Sequence, residues 1–168
     1  MTKIDDRYFK FTGKTTVIED GETVEVMDPG YDDDVPFVVT VDDMTPGVYE
    51  LFVSKNRTHT RVMASMLIHN EYKNDDLEYD MIPNAISVDA GLAGYFVDKP
   101  NFNDEEWRSF IDEFITDYAR DQVYTCPWGM FTNTGYGDGV YDVCIIKERK
   151  HYRIVGVAIF FMDQEDYE

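Results

Sequence analysis

The run Ile154-Val155-Gly156-Val157-Ala158-Ile159-Phe160-Phe161 constrains the fold more than any other segment. It is almost wholly apolar and rich in β-branched residues, so it reads as a central strand covered on both faces. A chain that contains such a strand has to supply a layer on either side of it. Gly156 inside the run points to a bulge or to close approach of another backbone. The natural partner is Val140 to Lys147, paired with Tyr152 to Met162 across the turn Glu148-Arg149-Lys150-His151.

Further strand patterns are spread along the chain. Thr15 to Glu19 and Glu22 to Val26 flank Asp20-Gly21, a pair that favours a type I′ hairpin turn. Pro36 to Val41, Val48 to Val53, Thr60 to Ile68, Ala85 to Val88 and Gly94 to Val97 read as strands. The polar, acidic stretch Glu71 to Asp80 reads as a loop. One helix is expected over 103–122. Asn103 caps it, Glu106 completes a capping box, and Asp104, Glu105 and Glu106 sit at the positive end of the dipole. Trp107, Phe110, Ile111, Phe114, Ile115 and Tyr118 recur at helical spacing and form a core-facing stripe. The expected fold class is α+β, with mostly antiparallel sheets that two packed layers would satisfy and this single main helix on one face. With 168 residues and no internal repeat or linker, the chain is expected to be one domain. Residues 1–46 form an N-terminal hairpin region.

Charge narrows the partners. The chain carries 34 acids against 15 bases, a net charge of −19. Direct nucleic-acid binding and attachment to an anionic membrane are disfavoured. A basic protein partner, such as a nuclease, a toxin or a DNA-binding protein, is favoured by the same charge. No apolar run approaches the ~20 residues needed to cross a bilayer. The N-terminus carries acids in place of an apolar segment, so a cytoplasmic protein is expected, in the host cytoplasm if the source is viral. Cys126 and Cys144 are too few for a disulfide scaffold. Exposed strand edges and abundant aromatics leave a homo-oligomer open.

Against this acidic background, one stretch stands out: Thr134-Gly135-Tyr136-Gly137-Asp138-Gly139. Its glycines permit positive φ and let backbone N–H groups turn toward one acceptor, the geometry of an anion nest. Lys147, Arg149, Lys150 and Arg153 follow closely in sequence and can neutralise a phosphate. Tyr136, Tyr141, Tyr152 and Trp128 can stack on a base. The loop is neither a Walker A motif nor a dinucleotide fingerprint, because a strand follows it. The alternative is a tight β connection beside a solvated basic hairpin tip.

The segments Ser87-Val88-Asp89-Ala90-Gly91-Leu92-Ala93-Gly94-Tyr95-Phe96 and Gly135-Tyr136-Gly137-Asp138-Gly139-Val140-Tyr141-Asp142-Val143 lie in order with a helix between them. In this the chain resembles a bacterial family catalogued as a domain of unknown function, family 4241. The resemblance runs from Gly47 onward and leaves residues 1–46 outside it. The chain has Thr134-Gly135 where the family more often has Ser-Gly, and Asp142 where a proline is expected. The resemblance implies a fold and brings no activity.

Asp89 and Asp138 are the acids in special backbone contexts. Facing each other, they would share a proton or hold a hard cation; alone, each would accept hydrogen bonds from turn amides. No G-x-S-x-G appears, and His59, His69 and His151 are scattered, so a catalytic set is not expected. No cofactor or metal motif is present. The expectation is a non-catalytic binding protein that sequesters a small anionic ligand, with a nucleotide signal in phage–bacterium conflict as the candidate. Its ligand-binding residues would be Gly135, Tyr136, Gly137, Asp138, Gly139, Tyr141, Lys147, Arg149, Lys150, Arg153 and Asp89. The alternative is an acidic inhibitor or immunity protein that mimics phosphate and blocks a basic protein, using Asp32 to Asp34, Asp42-Asp43 and Asp75-Asp76. A third reading is a metal-dependent hydrolase built on Asp89 and Asp138.

Overall fold

The computed structural model of the chain describes residues 8–32, 37–115, 122–135 and 137–161. Tyr136, Asp33, Asp34, Tyr118 and the acidic tail Asp163 to Glu168 lie outside the described residues. In chain order the elements are β1 (Lys10–Ile18), β2 (Val24–Met27), β3 (Val39–Val41), β4 (Gly47–Lys55), β5 (Val62–His69), β6 (Leu77–Val88), β7 (Leu92–Phe96), α1 (Asp104–Phe114), β8 (Val123–Cys126), β9 (Gly129–Asn133), β10 (Gly139–Glu148) and β11 (Ile154–Phe160).

The strands form two antiparallel sheets. A six-stranded sheet runs β1-β4-β5-β11-β10-β6, and a five-stranded sheet runs β3-β2-β7-β9-β8. Their inner faces meet in the main core. Ile18, Leu51, Met63, Val143 and Ile159 of the large sheet pack against Val26, Ala93, Tyr95 and Met130 of the small one. A polar tie crosses this core: the Tyr95 hydroxyl lies 2.8 Å from Ser65 Oγ and donates to the Ser65 carbonyl at 3.0 Å. The outer face of the large sheet is also apolar, with Phe52, Met66, Ile68, Cys144 and Ala158 buried there. That explains why every residue of β5 is buried. The helix covers the outer face of the small sheet, where Phe110 meets Phe96, Tyr124 and Phe131. The fold class is therefore α+β, as expected from the alternation of β-prone runs and the one capped helix.

β11 lies between β5 and β10, doubly covered. Its register with β10 slips between Ile146 and Lys147, next to Gly156. A side chain at Gly156 would come within 2.7 Å of Ile68 Cδ1 and 2.8 Å of the Leu67 carbonyl. Both readings of that glycine, bulge and close approach, apply together.

Three expectations need correction. The first is the N-terminal hairpin. β1 pairs with β4, and β2 pairs with β3 and β7 in the other sheet. Asp20-Gly21 therefore carries the chain between sheets. A type I′ turn needs positive φ at both central residues. Here only Gly21 has it, at 82°, with Glu22 N–H bonded to the Glu19 carbonyl at 3.1 Å, which is the pattern of a type II turn. Type II does not match the twist of paired strands. The second is the acidic loop: its C-terminal part, Leu77 to Asp80, belongs to β6. β6 is an edge strand, so its outward residues can be charged and it tolerates Pro83. The third is helix length. The capping box forms as expected, with Glu106 N–H donating to Asn103 Oδ1 at 2.8 Å. The helix ends at Phe114, where Ile115 turns extended, and Gln122 has φ 58°.

Gly156→Ala is expected to lower unfolding stability by about 1–3 kcal/mol, the usual penalty of forcing atoms into a packed core. Denaturant unfolding followed by circular dichroism checks it. A change within error would mean that β5 and β11 can part at no cost.

Candidate functional site

The glycine loop sits at a corner. Val88 pairs with Gly139 at the end of the large sheet, and Leu92 pairs with Asn133 at the start of the small one. Between these pairs the chain crosses from sheet to sheet twice, once through Asp89-Ala90-Gly91 and once through residues 134–138. The crossings touch. Thr134 N–H donates to the Gly91 carbonyl at 3.1 Å. A side chain at Gly91 would lie 3.9 Å from the Gly137 Cα. The two segments of the family resemblance, distant in sequence, are thus neighbours in space.

The corner is held from inside. Asp28, just past β2 and buried, accepts three backbone hydrogen bonds at 2.8 Å. One of its oxygens takes Gly30 N–H, and the other takes Asp89 and Ala90 N–H. Burial pushes its carboxyl above the usual value, and those three donors work against the rise. The Gly137 carbonyl accepts from Tyr141 OH at 2.5 Å and from Thr134 Oγ1 at 2.6 Å. Gly137 N–H bonds the Thr134 carbonyl at 3.3 Å, and Arg61 donates to the Gly135 carbonyl at 2.7 Å. Gly135 and Gly137 have φ of 68° and 102°, so the glycines are required by the turn itself. Tyr141 is buried, its ring edge-on to Phe161, and offers no face to a ligand.

The electrostatics are negative. Burial and then the charges of Asp89, Asp28 and Asp138 raise the pKa of the Tyr31 phenol at this corner, with a Ser87 hydrogen bond opposing them. Asp89 and Asp138 are exposed. Among the described residues no group of three or more acids, histidines or cysteines is placed to hold a metal ion.

The basic residues lie elsewhere. A strand of 10 residues such as β10, rising ~3.3 Å per residue, spans roughly 30 Å. The glycine loop is at one end of β10 and the basic hairpin at the other. Lys147 pairs with Asp80 at 3.2 Å, Arg149 with Asp76 at 3.3 Å, and Arg153 with Glu148 at 3.3 Å. Arg153 also lies over the Tyr72 ring at 5.5 Å. Lys150 and Tyr152 are exposed at the tip. Glu148 organises this turn, accepting from His151 N–H at 2.9 Å and Arg153 N–H at 3.2 Å. Burial acts to raise its pKa, but these donors and Arg153 outweigh it and hold the carboxyl below its usual value. The loop and the cations that were expected to converge do not form one hollow.

A different concavity is present on the helix side. A groove of about 300 Å³ lies between α1 and the β8–β9 turn, floored by Phe102, Phe110, Phe114 and Trp128. Its polar lining is Glu105, Glu106, Glu113 and Ser109. Phe102 meets Phe110 at 5.1 Å and Trp128 at 5.8 Å between ring centroids. The Lys99 ammonium already sits 4.6 Å from the Phe102 centroid. Helical periodicity reads Trp107, Phe110, Ile111, Phe114 and Ile115 as a core-facing stripe; Phe110 is buried, and Trp107, Phe114 and Ile115 pack half-buried against the same cluster, as do Phe102 and Trp128. The available signal was aromatic density with three glutamates over 102–114, completed by Trp128 from a distant turn.

No family model matches the chain, and no curated protein or solved structure is significantly similar to it.

Asp28→Asn is expected to lower stability by about 1–3 kcal/mol, because an amide presents N–H groups to backbone donors and leaves a buried donor unpaired. This holds although burial disfavours the native charge. Thermal unfolding at neutral pH reads it; a variant as stable as the parent would show that Asp28 does not clamp the corner. Glu148→Gln should also destabilise at neutral pH, with a distinct acid dependence. A carboxyl whose folded pKa is depressed contributes fully above its ordinary value of 4.5 and loses the contribution as pH falls through the lower folded value. The gap between parent and Glu148→Gln should therefore be constant near neutrality and close below that value.

Proposed function

We propose that the chain is a non-catalytic acidic binding protein that occupies a basic protein partner, acting as an inhibitor or immunity protein in the cytoplasm. The observation that carries this reading is the sign of the charge at both candidate surfaces. At the glycine corner Asp89 and Asp138 are exposed and Asp28 lies buried behind them, set against the cation Arg61 on the Gly135 carbonyl. The helix groove is rimmed by glutamates. The whole chain bears a net charge of −19. Three of the four basic residues that would have gripped an anion are paired with acids at the far end of β10. Sequestration of a nucleotide draws no support from that arrangement.

Exposed acids at Asp32, Asp42, Asp43, Asp75 and Asp76 extend the negative surface. Such a surface raises encounter rates with a cationic partner and repels nucleic acid. A setting in phage–bacterium conflict, and kinship with family 4241 through the Val88-Asp89-Ala90-Gly91 and Gly135 to Gly139 segments, belong to the same proposal.

A short arginine-rich peptide is expected to bind, with affinity falling steeply between about 0.05 and 0.5 M salt as the Debye length shrinks. Cyclic and linear nucleotides should leave the melting temperature unchanged. Calorimetry and thermal shift measure the two arms. Salt-insensitive nucleotide binding would reverse the proposal.

A further inference from the structure

We infer that the groove between α1 and the β8–β9 turn is the anchor pocket for an arginine side chain of the basic partner. This rests on the proposed acidic binding role and adds where, and through which chemistry, the partner is held.

Glu105 and Glu106 lie in the first turn of α1, where the helix dipole stabilises them, and Glu106 accepts from Asn103 N–H at 3.2 Å. Their presence is explained by the helix. Glu113 is not: like its neighbour Asp112 it lies in the last turn, which has no basic residue, so its charge faces the negative end of the dipole, and of the two it is Glu113 that lines the groove. The floor joins the core through the buried Phe110, while Phe102, Phe114 and Trp128 stay half-buried beneath an acidic rim.

The chemistry selects the occupant. Flat aromatic faces carry negative quadrupole potential and attract cations within ~6 Å. The protein shows this at the same cluster, where Lys99 sits 4.6 Å from the Phe102 centroid. Glu105 and Glu113 add full negative charge at the mouth. A guanidinium combines a planar face for stacking with a fork of donors for carboxylates, and an ammonium lacks the first. A volume of about 300 Å³ is at the lower end of pockets that enclose small organic groups, and it suits one side chain.

Of the two tryptophans of the chain, Trp128 reports on this place directly and Trp107 lies one ring away, against Gly30. Trp128 lines the groove, and Trp107 stacks on Phe110 at 5.5 Å. The test titrates the arginine-rich peptide, and the equally long lysine peptide, while following tryptophan emission. The parent, Glu105→Gln/Glu113→Gln, Phe102→Leu and a control, Glu19→Gln/Glu71→Gln, are compared. The control removes equal charge from exposed positions that do not line the groove. The expected result is a change in emission on binding and preference for arginine over lysine. Affinity should fall about three- to tenfold in the groove pair, as expected for losing two exposed charge contacts, with a smaller loss in the control. Phe102→Leu should weaken binding without changing its salt slope. If the peptide binds but the two charge pairs lose affinity equally and emission is unmoved, the groove assignment fails while the acidic binding role stands. If no basic peptide binds the parent, both fail together.

Discussion

The pairing of β10 on both sides governs what this molecule can be. β10 hydrogen-bonds to β6 and to β11 over most of its length, so it is held as an extended member within the large sheet. An extended strand cannot bring its ends together. That one constraint separates the glycine loop from the basic hairpin, residues that are near in sequence and look like halves of a single site. A tight hairpin in the same interval would have returned the cations to the loop.

The glycines acquire a different meaning from the same geometry. Sheets that pack face to face need places where the chain leaves one and enters the other. Here two such crossings run side by side and share hydrogen bonds. The inward carbonyl of Gly137, gripped by Tyr141 and Thr134, is turned away from any ligand. Asp28 does for the other crossing what a turn side chain does locally, but from the segment that follows β2. Bare backbone here serves close approach of chain to chain. A nest for an anion would need outward N–H groups and positive surroundings, and here Asp28, Asp89 and Asp138 outnumber Arg61, whose guanidinium is engaged by the Gly135 carbonyl.

How much of this was legible depends on how local the cause is. The β10–β11 hairpin, the doubly covered β11 and the helix N-terminus follow from contiguous residues, and each was readable from Ile154 to Phe161 or from Asn103 and Glu106. The partner of β1 was not, because Asp20-Gly21 is compatible with a hairpin and with a sheet-to-sheet turn; pairing with β4 decides between them. The acidic start of β6 was hidden for the opposite reason, since edge strands carry charge that alternation rules read as loop. The groove joins Phe102 to Phe114 with Trp128, a juxtaposition made by helix docking on the small sheet. Periodicity finds the stripe of a helix but does not say how much of it the sheet covers.

On the proposed reading, charge and shape divide the work of recognition. A net charge of −19 spread over a surface draws in any cationic protein and, being screened, distinguishes poorly among them. Selection requires a place where desolvation makes a mismatch expensive. Among the described surfaces, the glycine corner is closed on itself and the hairpin tip carries paired ions. Of these surfaces the aromatic groove combines a half-buried apolar floor with acids at its mouth. If the acidic surface has a specific partner, the discriminating contact belongs where Glu113 opposes its own helix dipole, because there the chain accepts a local penalty that its own fold does not repay.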